Sequence, residues 1–159
     1  MLSEDLGQIV LVDDEEMVLT SIRSFLMLET EYDVHTFLSA NEALEFIAEN
    51  EVDLVISDYL MPEMDGITFL GKIKDLRPEV TRIILTGYAD KENAIKAIND
   101  VGLFQYIEKP WDNEDLRIII RNGLEKKILM RKLEEKIGQI NRAYSELQSI
   151  QQEVLKTFV

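Results

Sequence analysis

Short apolar runs alternate with helix-period stretches along most of this 159-residue chain, and that alternation constrains its fold more than any other feature. The runs are Gln8–Val12, Tyr32–Phe37, Val52–Ser57, Thr81–Leu85 and Phe104–Glu108. Most are rich in β-branched residues and short, as strands buried in a parallel sheet must be. Between them, Glu16–Leu28, Ile67–Leu76 and Lys91–Asp100 place apolar residues at helical spacing, as do Ala43, Leu44, Phe46 and Ile47. A fifth helical pattern follows Pro110. Strict alternation implies parallel pairing, right-handed crossovers and helices on both faces. The expected fold is α/β, a doubly wound five-stranded parallel sheet.

Local signals agree. Asp13 or Asp14 is expected to start the first helix, with Glu15 and Glu16 at the positive end of its dipole. Ser39-Ala40-Asn41-Glu42 forms a capping box. Arg77-Pro78 stops the third helix, and Asp112 or Asn113 caps the fifth.

Four of the runs end on reactive groups. Asp13 and Asp14 follow Ile9-Val10-Leu11-Val12, and Asp58 follows Leu54-Val55-Ile56-Ser57. Thr86 follows Ile83-Ile84-Leu85, and Lys109 follows Tyr106-Ile107-Glu108. Ligands in open α/β sheets bind beyond the carboxyl ends of the strands. Three carboxylates, a hydroxyl and an amine are therefore expected at one edge. Hard oxygen donors suit Mg²⁺, or Mn²⁺, which takes one or two carboxylates plus phosphate oxygens. Asp14 and Asp58 are expected as direct ligands and Asp13 through water. One oxygen of Asp58 can then attack phosphorus, with Lys109 and Thr86 on the phosphoryl oxygens. Gly87 leaves the approach open.

The last helix outruns the sheet. Beyond Gly123 the pattern becomes a heptad, with Met130, Ile137, Tyr144, Gln151 and Phe158 at one seam position. Leu133, Ile140, Leu147 and Val154 hold the other. Roughly four heptads are enough to indicate a coiled coil. Residues after Asn122 would reach roughly 55 Å as helix. A second copy of the chain is the simplest cover for the seam, giving a parallel dimer; Gln151 and Gly138 weaken the pattern. The division expected is 1–122 as the α/β domain and 123–159 as an extended helix. Phe158-Val159 stands in mid-pattern, which points to a longer chain with a further output domain.

Charge sharpens the division. Residues 1–122 hold 10 basic and 26 acidic side chains, a net −16; residues 123–159 hold 7 and 5, a net +2. An acidic first part repels phosphates and argues against direct nucleic-acid binding. Cysteine is absent, which excludes disulfides and thiolate chemistry. Neither a signal-peptide pattern nor a membrane-span pattern is evident, so a cytoplasmic location is expected.

The carrying segments are Val10-Leu11-Val12-Asp13-Asp14, Ser57-Asp58-Tyr59-Leu60-Met61-Pro62-Glu63-Met64-Asp65-Gly66, Leu85-Thr86-Gly87 and Tyr106-Ile107-Glu108-Lys109-Pro110. With them the chain resembles the receiver domain of two-component response regulators. The resemblance covers roughly residues 7–125. It implies strand order 2-1-3-4-5 and phosphorylation of Asp58 by a sensor histidine kinase. It implies Mg²⁺ held by Asp14, Asp58 and the backbone carbonyl of Leu60, and a cis Lys109–Pro110 bond. Further, it implies a switch in which Thr86 moves toward the phosphoryl group, Tyr106 turns inward, and the face of the fourth helix, fifth strand and fifth helix changes.

Leu60 is apolar where many members of that family are polar, and Tyr88 is bulky; both are expected to hinder water at the phosphoryl group. Trp111 is either an anchor on the output face or a shield for the start of the last helix. His35 is expected to be structural, and Met61 and Met64 to pack. A haloacid-dehalogenase-like phosphatase is an alternative, but it needs a second aspartate where Leu60 stands. A non-signalling dimerisation or adaptor module is the other. No phosphate-binding glycine loop supports a nucleotide switch.

Overall fold

The computed structural model describes residues 7–157. Five strands, β1 (Gln8–Val12), β2 (Asp33–Phe37), β3 (Leu54–Asp58), β4 (Thr81–Thr86) and β5 (Gln105–Glu108), form one sheet. Helices α1 (Glu16–Glu29), α2 (Ala40–Glu49), α3 (Gly66–Leu76), α4 (Lys91–Val101) and α5 (Asn113–Thr157) alternate with them. A 3₁₀ turn at Tyr88–Asp90 precedes α4. All pairings are parallel and the order is β2-β1-β3-β4-β5, the doubly wound arrangement expected.

The strand period of two splits the apolar side chains between two cores. Val10, Val12, Val55 and Ile84 face α2, α3 and α4, with Phe69, Leu70 and Ile73 filling the layer. Ile9, Leu11, Leu54, Ile56, Ile83, Leu85 and Ile107 face α1 and α5, where Ile22, Leu26, Leu116 and Ile120 meet them. The central strands β3 and β4 are buried along their whole length. That is why they read as continuous apolar runs rather than alternating ones.

Three of the five helix starts follow the capping logic, while α1 and α4 lack a side-chain capping bond. The Ser39 hydroxyl accepts from Glu42 N at 3.5 Å, and the Asp65 carboxylate from Thr68 N at 2.7 Å. Asp112 accepts from Glu114 N at 2.9 Å and Asp115 N at 3.2 Å. At α1 the N-cap is Glu15, not Asp13 or Asp14, and its side chain makes no capping bond. Asp13 instead accepts from Glu15 N at 2.8 Å, so the aspartate that follows β1 is held in the loop.

The chain divides into two compact units, residues 1–127 and 128–159. Within the first, α5 buries Leu116, Ile120, Gly123, Leu124 and Lys127. In the second, the helix continues to Thr157 and the seam is uncovered. Met130, Leu133, Ile137, Ile140, Tyr144, Leu147 and Val154 are between 48% and 66% exposed, and Leu129, Ile150 and Leu155 lie bare beside them. Phe158 lies outside the described residues. Among the described residues, no helix is long and apolar enough to cross a membrane.

Candidate functional site

Register brings the strand ends together. Val12 pairs with Ser57, Asp58 with Leu85, and Thr86 with Glu108, so the residues that follow β1, β3, β4 and β5 emerge at one edge. There one carboxylate oxygen from each of Asp13, Asp14 and Asp58 lies within 4.8 Å of the others. Asp13 is fully buried and Asp58 nearly so, while Asp14 is exposed. Lys109 Nζ donates to Asp58 Oδ1 at 2.9 Å and to Asp13 Oδ2 at 3.3 Å. Four of the expected site residues thus form one charged cluster.

Their proton affinities follow from crowding and burial. Burial pushes the Asp13 carboxyl up to about 6; the Glu15 N–H opposes this, the Asp58 charge adds to it, and Lys109 opposes it. Burial raises Asp58 as well, against the hydrogen bond and charge of Lys109 and with a smaller push from Asp14. Burial would lower Lys109, but its bond to Asp58 and the charges of Asp13 and Asp58 win, so it is raised. Carboxylates at such short separation repel, and a divalent cation would relieve the repulsion better than one ammonium does. The donor set is all oxygen, which fits a hard ion such as Mg²⁺.

Backbone contacts hold Asp58 in place. Tyr59 N donates to Asp58 Oδ1 at 3.0 Å, and the Ser57 hydroxyl donates to the Asp58 carbonyl at 2.9 Å. Gly66, the first residue of α3, sits hard against that carbonyl: an added Cβ would lie 2.1 Å from the Asp58 oxygen. The Asp65-Gly66 turn therefore serves close approach as well as helix start. The Lys109 backbone N–H donates to Thr86 O at 2.9 Å, and the Lys109–Pro110 bond that follows is cis.

Thr86 is buried, and its hydroxyl donates to Gly87 O at 3.2 Å. At Gly87 nothing lies within 4 Å of where a Cβ would be. Leu60 is 61% and Tyr88 85% exposed, on the loops that follow Asp58 and Thr86. Tyr106 is half-buried and, like Ile98, Met61 and Met64, packs against the α2–α3–α4 core. Trp111 packs on the α1–α5 core, and its indole N–H donates to Asn113 Oδ1 at 3.1 Å, at the start of α5. His35 Nε2 lies 2.9 Å from Gln8 Oε1, and its ring lies against Phe46.

Strand-end reasoning does not reach Lys91. It opens α4, pairs with Glu108 at 3.3 Å and lies 5.8 Å from the Tyr106 ring centroid. The one hint in the sequence is a lysine at a helix start, where the dipole disfavours a cation.

An acidic cluster countered by a lysine, at the carboxyl edge of a 2-1-3-4-5 sheet, marks a signalling receiver. The family model for the response regulator receiver domain matches residues 9–121, and the chain belongs to that family. It is 33% identical over 124 residues to the hydrogenase transcriptional regulatory protein HoxA of Cupriavidus necator, covering 78% of this chain and 25% of that protein. A solved signal receiver domain of an HD domain-containing protein from Pseudomonas fluorescens is 39% identical with a TM-score of 0.72, covering 77% of this chain and 97% of that one. A receiver domain protein from Clostridium thermocellum is 38% identical with a TM-score of 0.73, covering 79% and 99%. These matches favour a receiver over a phosphatase or a bare adaptor. The chain spans about a quarter of the length of curated relatives such as HoxA.

Proposed function

We propose that Asp58 accepts a phosphoryl group from the phosphohistidine of a sensor histidine kinase. The observation that carries this reading is the Lys109 ammonium, 2.9 Å from Asp58 Oδ1 inside a cluster of three carboxylates. An Asp58 oxygen forms the new bond to phosphorus as the bond from phosphorus to the imidazole nitrogen breaks; with the donor's other ring nitrogen already protonated, the imidazole leaves neutral. Lys109 then exchanges its bond to Asp58 for one to a phosphoryl oxygen, where charge has built up. Thr86 gives up its bond to Gly87 O and donates to another. Gly87 adds no side chain to block the approach.

Asp13, Asp14, Asp58 and the Leu60 carbonyl would hold Mg²⁺ or Mn²⁺, with Asp13 acting through water. Bound there, the ion supplies positive charge that lets a crowded carboxylate meet an anionic donor. The chain is then a phosphoacceptor that reacts once per cycle rather than a turnover enzyme.

Thr86 and Tyr106 form the switch. Phosphate shifts the balance only as far as its contacts differ between the two states. Tyr106 turns inward as Thr86 moves, which alters the face of α4, β5 and α5. Residues 123–159 form a coiled-coil linker that pairs in parallel with a second copy and passes the change to an output domain in a longer, cytoplasmic protein. The strong negative charge of residues 1–122 leaves any contact with nucleic acid to that output.

Intact mass after incubation with acetyl phosphate and Mg²⁺ tests the proposal. One phosphoryl adduct is expected on the native chain and none on Asp58→Ala. No adduct on the native chain, or the same adduct on the variant, overturns it.

A further inference from the structure

Among the described residues, the first turn of α4 is the least secured of the helix starts next to the site. Its N-cap, Asp90, makes no side-chain capping bond. The helices α2, α3 and α5 each have one, and α1 has the Asp13 contact in its place. Lys91 then adds a cation at the positive end of the helix dipole. The preceding 3₁₀ turn supplies backbone bonds, from Asp90 N to Gly87 O and from Lys91 N to Tyr88 O, and Glu92 suits the dipole, but the side-chain anchors of this turn lie elsewhere.

Those anchors are on β5. Tyr106 and Glu108 are two residues apart on one strand, so both side chains face α4. Lys91 Nζ sits 3.3 Å from Glu108 Oε2 and 5.8 Å from the Tyr106 ring centroid. Glu108 is paired in the sheet with Thr86, whose hydroxyl is bonded to Gly87 O. One lysine therefore bridges the helix that must move, the aromatic ring that must turn, and the strand neighbour of the threonine that must swing.

We propose that Lys91 is a positioning residue of the switch: it latches the first turn of α4 to β5 and holds Tyr106 in the half-exposed place it occupies here. This rests on the receiver reading above, in which an inward Tyr106 belongs to the phosphorylated state. The contacts are exposed and individually weak, which suits a latch that must open. Removing it costs the resting state more than the activated one, so the population moves toward activation.

The test is a titration of the whole chain with beryllofluoride in Mg²⁺, a phosphoryl mimic, followed by fluorescence of Trp111, the single tryptophan. Lys91→Met should bind roughly three- to tenfold more tightly. Lys91→Arg, which keeps the charge and the reach, should bind like the native chain. In a Tyr106→Leu background, Lys91→Met should have little further effect, since the ring it holds is gone. Unchanged affinity in Lys91→Met, or an equal gain with and without Tyr106, overturns the latch while leaving the receiver reading intact. A native chain that binds no beryllofluoride, while its unfolding curve shows it folded, sinks the receiver reading and the latch with it.

Discussion

Lys127 Nζ lies 2.6 Å from Asp53 Oδ1 at the sheet edge opposite Asp58, and both side chains are buried. Lys127 also donates to Val52 O at 3.2 Å. The second Asp53 oxygen accepts from Gly7 N at 2.8 Å and Gln8 N at 2.9 Å. One carboxylate thus ties α5 to the starts of β1 and β3. Losing one partner of a buried pair is costly because the other charge stays buried. Lys127→Ala should therefore lower stability by about 3 kcal/mol, read from urea unfolding. A loss below about 1 kcal/mol would place the pair with weak surface ion pairs.

The same region makes Gly123 a packing residue rather than a flaw in the helix. An added Cβ would lie 2.9 Å from both Leu54 Cδ1 and Thr81 Cγ2. Thr81 Oγ1 also donates to Gly123 O at 2.9 Å. Alanine normally gains about 1 kcal/mol over glycine within a helix. Here overpacking costs about 1–3 kcal/mol. Gly123→Ala should be net destabilising by about 1 kcal/mol, and a rise in the melting midpoint would contradict the close contact.

Acid titration should expose the two buried aspartates of the site, Asp13 and Asp58. Asp13 sits at about 6 in the folded chain against an ordinary 3.8. Between those values the folded state binds the extra proton and the unfolded chain does not. The Asp13 contribution is complete below pH 3.8 and is lost as pH rises through about 6. Asp58, also raised by burial, works in the same sense. The full Asp13 span corresponds to roughly 3 kcal/mol as an upper figure. Without divalent metal, the native chain should lose stability relative to Asp13→Asn as pH climbs from about 4 to about 6. Mg²⁺ should reverse that trend, because protons and the ion compete for the same oxygens. Melting midpoints across this range, with and without Mg²⁺, decide it; parallel curves for the two chains would show that Asp13 keeps its ordinary affinity.

Strand ends were legible because a parallel sheet turns sequence position into place: whatever follows an apolar run lands on one edge. Asp13, Asp14, Asp58, Thr86 and Lys109 could be read that way, and the strand order came with the family resemblance. Lys127 could not. It stands where the helical pattern is changing to a heptad, and a lysine there reads as solvated surface until Asp53 is seen beneath it. Lys91 escaped for a related reason, since its partners Tyr106 and Glu108 are brought to it by the α4 crossover rather than by spacing. The sequence offers Asp13 or Asp14 as the start of α1, yet the N-cap is Glu15, because an acidic residue after a strand leaves the same pattern whether it caps the helix or is held in the loop.

Leu60 and Tyr88 should set how long the phosphoryl group lasts. Both are large, exposed and placed on the loops that follow Asp58 and Thr86. Hydrolysis needs a water in line with the oxygen–phosphorus bond, and apolar bulk on either side denies it a position. Leu60→Asn and Tyr88→Ala should each shorten the lifetime roughly three- to tenfold, about 0.7–1.4 kcal/mol of barrier. Decay of the phosphorylated mass with time supplies the measurement. Unchanged lifetimes in both variants would make these side chains bystanders.

The exposed seam of residues 128–157 should drive pairing of two chains. A helix bearing Leu133, Ile137, Ile140 and Leu147 in water, each about half exposed or more, leaves a long apolar stripe uncovered. Each such side chain fully buried against a partner contributes roughly 1.5–3 kcal/mol. Several layers together outweigh the cost of association. Gln151 interrupts the stripe, as a single polar seam residue does where register matters more than strength. Ile140→Asp, which would oppose two carboxylates across an in-register parallel seam, should give monomers in sedimentation velocity. Gln151→Leu should tighten the dimer or raise its order. The acetyl phosphate adduct on Asp58 should persist in both variants, because neither substitution touches residues 1–127. A native chain that sediments as a monomer at micromolar concentration, with and without Mg²⁺ and beryllofluoride, would leave the seam to a different partner.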